Sequence, residues 1–89
     1  MSRVEWSQSA LNELASVWMQ ADSAMRQAIT AATNALDHQL QNDPEQQGES
    51  RNDTERILFT FPLGVGFEID TQRDTVTIRH VWSFRKRGK

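Results

Sequence analysis

The sequence predicts a two-layer α+β domain with the order β-α-α-β-β-β, in which a helical hairpin packs on a mainly antiparallel sheet. Two observations predict it. In the first half of the 89-residue chain, apolar residues recur at the three- and four-residue steps of helices. In the second half they alternate with polar residues, which is the period of strands. A chain of this length has room for one core, so we expect residues 1–89 to form one domain.

The opening segment is predicted to be a short strand followed by a helix. Val4 and Trp6 alternate with polar neighbours and would share one face of the strand. Ser7 is the expected N-cap, because its hydroxyl can accept a hydrogen bond from a first-turn amide. The residues at helical steps that follow are Leu11, Leu14, Ala15 and Trp18. We expect this face of the helix to belong to the core.

A second helix is predicted directly after the first. Asp22 and Ser23 interrupt the first pattern with capping side chains. The next helical stripe consists of Met25, Ala28, Ile29, Ala32, Leu36 and Leu40. Because the joint is short, the two helices must be neighbours in a hairpin. The second helix should end near Asp43, since the residue before Pro44 is driven out of helical geometry.

The rest of the chain is predicted to be a polar loop and a three-stranded meander. Residues 44–55 contain no aliphatic or aromatic side chain apart from the proline, so we expect a surface loop, either functional or merely a solvated linker. Strands are expected at 57–61 and 65–69, with a hairpin turn at 62–64. A polar turn at 70–74 leads into the last strand.

The last strand runs into a basic tail, and this end of the chain is the predicted functional surface. The alternating positions are Val76, Ile78, His80, Trp82 and Phe84, and they would face the core. Residues 1–78 hold twelve acids and five bases, a formal charge of −7, whereas residues 79–89 hold five bases and no acid. This separation indicates that the tail meets a polyanion or an acidic partner. A frayed tail at residues 85–89 is the alternative.

The composition excludes several classes of protein. Without cysteine, neither a disulfide framework nor a thiolate metal site can form, and two distant histidines do not supply the ligands of a zinc site. No apolar run approaches the ~20 residues of a membrane span, and the N-terminus lacks the apolar core of a signal peptide. A net charge of −2 argues against a general nucleic-acid binder. We therefore predict a cytoplasmic protein with no cofactor, no metal and no membrane contact.

Several short segments, taken in order, match one known family. They are residues 4–7, 10–15, Trp18, Ala28, Ile29, Leu40, Asp43, Pro44, residues 48–51, 56–58, Pro62, Leu63, residues 65–70, Val76, Ile78 and Val81. No single segment is specific, but in this order and spacing the chain resembles the RelE/ParE superfamily of toxins from bacterial type II toxin-antitoxin modules. The resemblance covers nearly the whole chain.

The resemblance implies a toxin that is neutralised by a cognate antitoxin bound across its surface. The RelE branch cleaves mRNA on the ribosome without metal, and the ParE branch blocks DNA gyrase. The chain has no tyrosine, whereas RelE-type ribonucleases use one late in the chain, and Leu63 and Gly64 stand where the family commonly has an aromatic-arginine pair. These departures favour the binding of an essential target over RNA cleavage. A non-toxic interaction module of the same fold, a homodimer among its forms, is a third interpretation.

The candidate catalytic residues, if the chain cleaves RNA, are Arg79, His80 and Arg85. An imidazole can transfer protons near neutral pH, and guanidinium groups stabilise charge on phosphorus. The plainer interpretation makes His80 a histidine at the rim of the core. The family pattern, with Ile78 and Val81 both inward, would need a bulge at Arg79 and His80.

The candidate residues for binding a target or an antitoxin are Arg51, Arg56, Trp82, Phe84, Lys86 and Arg87. Arg51 and Arg56 could grip a phosphate or a carboxylate, or could pair locally with Asp53 or Glu55. Aromatic side chains among cations, as at the end of this chain, can stack on single-stranded bases. The same aromatic pair could instead be plain core.

Overall fold

The computed structural model describes residues 2–52 and 54–84, and it confirms the predicted two-layer α+β architecture. Within these residues, five strands form one sheet in the order β1-β5-β4-β3-β2, on which two helices pack. The elements are β1 (Arg3–Trp6), α1 (Gln8–Met19), α2 (Ser23–Gln41), β2 (Glu49–Ser50), β3 (Glu55–Thr60), β4 (Leu63–Asp70) and β5 (Thr75–Ser83).

β2 lies in the segment that was predicted to be an irregular loop. After a 3-10 turn at Pro44–Gln46, two residues pair antiparallel with Arg56 and Ile57 of β3 and form the sheet edge. Arg56 fixes this edge, since its Nε donates to the carbonyl oxygen of Gln47 (3.0 Å) and its Nη2 to that of Gly48 (3.1 Å). The edge is held by backbone pairing and one guanidinium group. A hydropathy pattern therefore does not reveal it.

β1 lies at the opposite edge of the sheet. It runs parallel to the first half of β5, from Arg3 opposite Thr75 to Trp6 opposite Ile78, whereas the other neighbouring strands are antiparallel. The indole Nε1 of Trp6 donates to Oδ1 of Asp37 (3.1 Å) and so ties β1 to α2. The sequence had left the position of this strand open.

The helices begin where the capping residues predict. The hydroxyl of Ser7 accepts a hydrogen bond from the amide of Ala10 (3.0 Å), and Oδ1 of Asp22 accepts one from the amide of Met25 (2.8 Å). α2 ends at Gln41, shortly before the proline that was expected to stop it.

The buried face of α1 differs from the predicted one. Leu11, Ala15 and Trp18 are exposed, whereas Ala10 is fully buried and Leu14 and Val17 pack against the core. The prediction is therefore confirmed at Leu14 and wrong at the other three positions of the stripe. The buried face is rotated toward Ala10 and Val17, which the sequence-based choice had left off it.

The core lies between the sheet and the helices. Its buried apolar residues are Ala10, Ile29, Ala32, Leu36, Leu40, Leu63, Val65, Phe67, Val76, Ile78 and Val81. The predicted α2 stripe is confirmed at Ile29, Ala32, Leu36 and Leu40, whereas Met25 is 37% exposed. The hairpin turn differs slightly from prediction, since Phe61 and Pro62 form it and Leu63 already belongs to β4.

A bulge in β5 changes which side chains face the core. Ile78 and His80 lie opposite consecutive residues of β4, so Arg79 has no partner there. Beyond the bulge Val81 is buried, while the side chain of His80 is 58% exposed. The strict alternation predicted for this strand is therefore wrong after Ile78. The bulge that the family pattern required is confirmed.

Leucine substitutions on α1 test which of its faces is buried. Ala10→Leu forces a larger side chain into a fully buried position, so we expect it to lower the free energy of unfolding by about 1–3 kcal/mol. Ala15→Leu, at an exposed position of the same helix, should change it by less than about 0.5 kcal/mol. Urea unfolding followed by tryptophan fluorescence measures both values. Equal losses of unfolding free energy in the two variants would contradict the burial of the Ala10 face.

Candidate functional site

We call the face of the sheet opposite the helices the open face. It carries two rows of residues that are paired across β3, β4 and β5. In one row, Gly64 lies between Phe59 and Trp82; in the other, Gly66 lies between Ile57 and His80. Alternate residues of a strand point to opposite faces, so these side chains share the face that the core does not use. The bulge brings His80 and Trp82 onto it.

An aromatic cluster, formed by Phe59, Phe61, Trp82 and Phe84, occupies one end of the open face. The ring of Phe59 meets that of Trp82 with centroids 5.9 Å apart and that of Phe84 at 5.3 Å, and Phe61 meets Phe84 at 5.6 Å. All three contacts are edge-to-face, the arrangement that the charge distribution of aromatic rings favours. Phe59 nevertheless remains 58% exposed. A partly exposed aromatic patch of this kind is a candidate interaction surface.

Gly64 is what allows the aromatic cluster to form. A Cβ atom at this position would lie 2.5 Å from Cε2 and 2.6 Å from Nε1 of Trp82. The indole therefore lies directly over the backbone of β4. In this position its ring reaches Phe59 on the next strand. Gly64 was predicted to belong to a turn, but in the structure it leaves room for the ring of Trp82.

A polar cavity of about 390 Å³ lies beside the aromatic cluster on the open face, over Gly66. Four side chains with charge or proton-transfer capacity line it: Glu13, Arg51, Glu55 and His80. Oε1 of Glu13 lies 4.0 Å from Nδ1 of His80. The cavity thus places one imidazole, one guanidinium group and two carboxylates around a common space.

The two arginines of the predicted binding set are separated. Arg51 lines the polar cavity, and within residues 2–52 and 54–84 its side chain forms no hydrogen bond or ion pair, with Glu55 or otherwise. Arg56 is held by the loop carbonyl groups described above. Among the described residues, Arg51 is therefore the one of the pair whose side chain has no hydrogen bond to give up before it reaches a ligand.

The structure brings together only part of the predicted catalytic set, which consists of Arg79, His80 and Arg85. His80 lines the polar cavity, but Arg79 forms an ion pair with Glu68 (3.3 Å) and does not line it. Arg85, Lys86 and Arg87 lie outside the described residues. Sequence reasoning missed Glu13, because no local pattern on α1 indicates that its carboxylate reaches β5.

Neither a metal cluster nor a membrane helix occurs in the part of the chain that the structure describes. Across residues 2–52 and 54–84, no group of three or more His, Cys, Asp or Glu side chains is placed to hold a metal ion. No helix in these ranges has the length and apolar character needed to cross a bilayer.

Comparison with known proteins gives matches in structure and not in sequence. No family model and no curated protein matches the chain. A chain of the toxin-antitoxin complex RelBE2 from Mycobacterium tuberculosis superposes with a TM-score of 0.74 at 15% identity, covering 93% of this chain and 91% of that one. A chain of the chromosomal ParDE system of P. aeruginosa gives 0.70 at 15% identity, covering 96% and 98%.

The isolated E. coli RelE toxin is also similar in structure. Its TM-score is 0.68 at 12% identity, and the match covers 98% of this chain and 88% of the toxin. The three matches cover between 93% and 98% of this chain. The chain therefore has the fold of RelE and ParE toxins, as the order and spacing of its segments predicted.

Alanine substitutions at the two glycines of the open face test how the aromatic cluster is built. Gly64→Ala collides with the Trp82 ring, so we expect a loss of about 1–3 kcal/mol in unfolding free energy and a weaker near-ultraviolet circular dichroism signal. Gly66→Ala is the matched control, since its Cβ would meet the flexible carboxylate of Glu55 at 3.3 Å and would touch His80 at an ordinary contact distance of 3.7 Å. An unchanged aromatic signal in Gly64→Ala would contradict the packing described.

Proposed function

We propose that the chain is the toxin of a type II toxin-antitoxin module, which arrests growth by binding an essential target in the cytoplasm and is neutralised by a cognate antitoxin. The observation that supports this most strongly is the fold likeness to RelE and to chains of the RelBE2 and ParDE systems over almost the full chain. The surface supports it too, because the domain has two exposed apolar regions, one on the helices and one on the sheet.

The first region, the hairpin groove, fits an antitoxin helix. It is a groove of about 270 Å³ on α1 and α2, lined by Leu11, Leu14, Ala15, Trp18, Ile29, Thr30 and Thr33. Leu11 is 44% exposed and Trp18 is 39% exposed. An amphipathic helix places apolar side chains at i, i+3, i+4 and i+7, which suits a groove of this shape. The antitoxin is the partner that the neighbouring complexes suggest.

The second region, the aromatic cluster, fits the target. Its last ring belongs to Phe84, and residues 85–89 follow with four cations, Arg85, Lys86, Arg87 and Lys89. Aromatic side chains and arginine carry a large share of binding energy at protein interfaces. This combination favours an acidic protein surface of the gyrase or ribosome type as the target.

A second candidate function is ribosome-dependent, metal-independent cleavage of mRNA, and the polar cavity favours it. His80 would take the proton from a 2′-hydroxyl, and Arg51 would stabilise negative charge on the phosphorus oxygens. The 2′-oxygen would bond to phosphorus as the bond to the 5′-oxygen breaks, and the 5′-oxygen would take a proton from water. The chain lacks the tyrosine that RelE-type ribonucleases use, and Arg79 is paired with Glu68. Target binding is therefore our first proposal.

Charge substitutions on the two regions should separate toxicity from neutralisation. Induced expression of the chain in a bacterium should arrest growth, and Phe59→Asp should abolish the arrest because it places a charge in the aromatic cluster. Trp18→Asp should still arrest growth but should escape the antitoxin, which is to be sought in the adjoining reading frame. Gln27→Asp, at an exposed site on α2, is the control and should behave as wild type.

Growth curves with and without the antitoxin measure these effects, and circular dichroism verifies that each variant is folded. Normal growth on induction of the wild-type chain would refute the toxin proposal in that host. It would favour the non-toxic interaction module.

Substitutions in the polar cavity distinguish the two toxin mechanisms. If the chain acts by target binding, His80→Ala and Arg51→Ala should leave growth arrest intact, because neither residue belongs to the aromatic cluster. If the chain cleaves mRNA, His80→Ala should lower cleavage by about 10²–10⁴-fold. Primer extension on ribosome-bound mRNA measures cleavage, and a supercoiling assay measures gyrase inhibition in parallel.

A further inference from the structure

β2 forms one edge of the sheet, and within residues 2–52 and 54–84 no strand lies on its outer side. The amide of Arg51 donates to the carbonyl oxygen of Glu55 on β3 (2.8 Å). Backbone groups alternate in direction along an antiparallel strand, so the amide and the carbonyl group of Ser50 point outward. β2 therefore offers the donor and the acceptor of Ser50 to a strand placed beside it.

Two side chains of opposite charge flank Ser50 on the open face. Glu49 lies opposite Ile57, which belongs to that face, and Arg51 follows two residues later on the same side of the backbone. Both residues are exposed, and neither forms an ion pair with another residue of the ranges 2–52 and 54–84. The edge thus presents an acid, a serine and a base in this order.

This order is complementary to itself. Two strands that meet across a two-fold axis run antiparallel and present the same residues to each other. With Ser50 on the axis, Glu49 of each copy would lie directly opposite Arg51 of the other, and opposite charges at directly facing positions attract. The two Ser50 residues would exchange a pair of backbone hydrogen bonds.

An apolar cleft lies beside the same edge. It has a volume of about 650 Å³ and is lined by Gly48, Glu49, Ser50, Arg51, Ile57 and Phe59. The ring of Phe59 is 58% exposed. A strand added at β2 would extend the sheet past the cleft and cover part of the wall that Ile57 and Phe59 form. Burial of this wall would contribute stability that exposed ion pairs alone supply only weakly.

We propose that two copies of the chain associate through β2, antiparallel about a two-fold axis at Ser50, so that the sheet of each copy continues into the other. Backbone pairing at Ser50 provides the contact, and the two Glu49–Arg51 pairs fix its register. A strand of another protein would need this same order of charges, which a second copy already supplies. The proposal concerns assembly alone and does not depend on toxicity.

The opposite edge of the sheet is less suited to such pairing. Arg3 and Glu5 of β1 are also two residues apart, but Nη1 of Arg3 lies 3.7 Å from Oε2 of Glu5 in the same chain. A second copy at β1 would have to break this ion pair before it formed its own. The charges at β2 have no such partner among the described residues. β1 therefore serves as the control edge.

Self-association would engage a residue of the polar cavity. Arg51 lines that cavity. In the dimer its guanidinium group would face Glu49 of the second copy, whereas in the monomer it can turn toward a ligand in the cavity. Dimer formation and anion binding at Arg51 would therefore compete.

Sedimentation equilibrium of the full chain, produced by cell-free synthesis, tests the proposal. A small edge contact predicts a dimer with a Kd of about 10–500 μM. Glu49→Arg and Arg51→Glu should each weaken the dimer about tenfold or more, since either change sets like charges opposite each other on both sides of the axis. An equimolar mixture of the two variants should dimerise as wild type does, because the acids of one then face the bases of the other.

A control variant and one amide make the test specific. Arg3→Glu, on the opposite edge, should leave the Kd within about twofold of wild type. Hydrogen exchange of the Ser50 amide in ¹⁵N-labelled protein should slow as the concentration rises through the Kd.

The proposal is overturned if the wild-type chain remains a monomer at about 1 mM. It also fails if Arg3→Glu weakens the dimer as much as Arg51→Glu does. A third contrary result is a mixture of Glu49→Arg and Arg51→Glu that forms no dimer although circular dichroism shows both variants to be folded.

Discussion

The bulge at Arg79 is the constraint on which the candidate site depends. One extra residue shifts the side-chain alternation of β5, so Val81 joins the core while His80 moves to the open face. Without it, the strand would bury an imidazole and an indole and expose a valine. The hydrophobic gain from burying Val81 and the desolvation avoided at His80 both favour the shifted register.

α1 connects the surfaces that this register creates. Its Ala10 side packs on the core, its Leu11 and Trp18 side lines the hairpin groove, and Glu13 reaches the end of β5. A helix of twelve residues thus touches the core, a helical groove and a strand edge. Leu14 and Val17 join Ala10 on the core side, whereas Leu11 and Trp18 remain exposed on the outside.

Three glycines have three different physical roles around the sheet. Gly64 leaves room for the Trp82 ring, and Gly66 forms part of the polar cavity. Gly48 has a φ of 68°, and a Cβ atom there would collide with the carbonyl group of Ile57. At this last position both the left-handed backbone and the close approach require glycine. At Gly64 and Gly48, the missing side chain is what allows a neighbouring group to occupy its place.

The sequence by itself determined the order of the main elements, both helix caps, the buried stripe of α2 and the overall likeness to RelE and ParE toxins, because these depend on local chemistry and on periodicity. It also identified His80, Trp82 and Arg51 as site candidates by residue type. Only the tertiary structure decided the face of α1, the edge strand β2, the position of β1 and the contact of Glu13 with β5. In each of these cases two arrangements are equally good locally, and packing against distant residues decides between them. Periodicity within one element carries no information about those distant contacts.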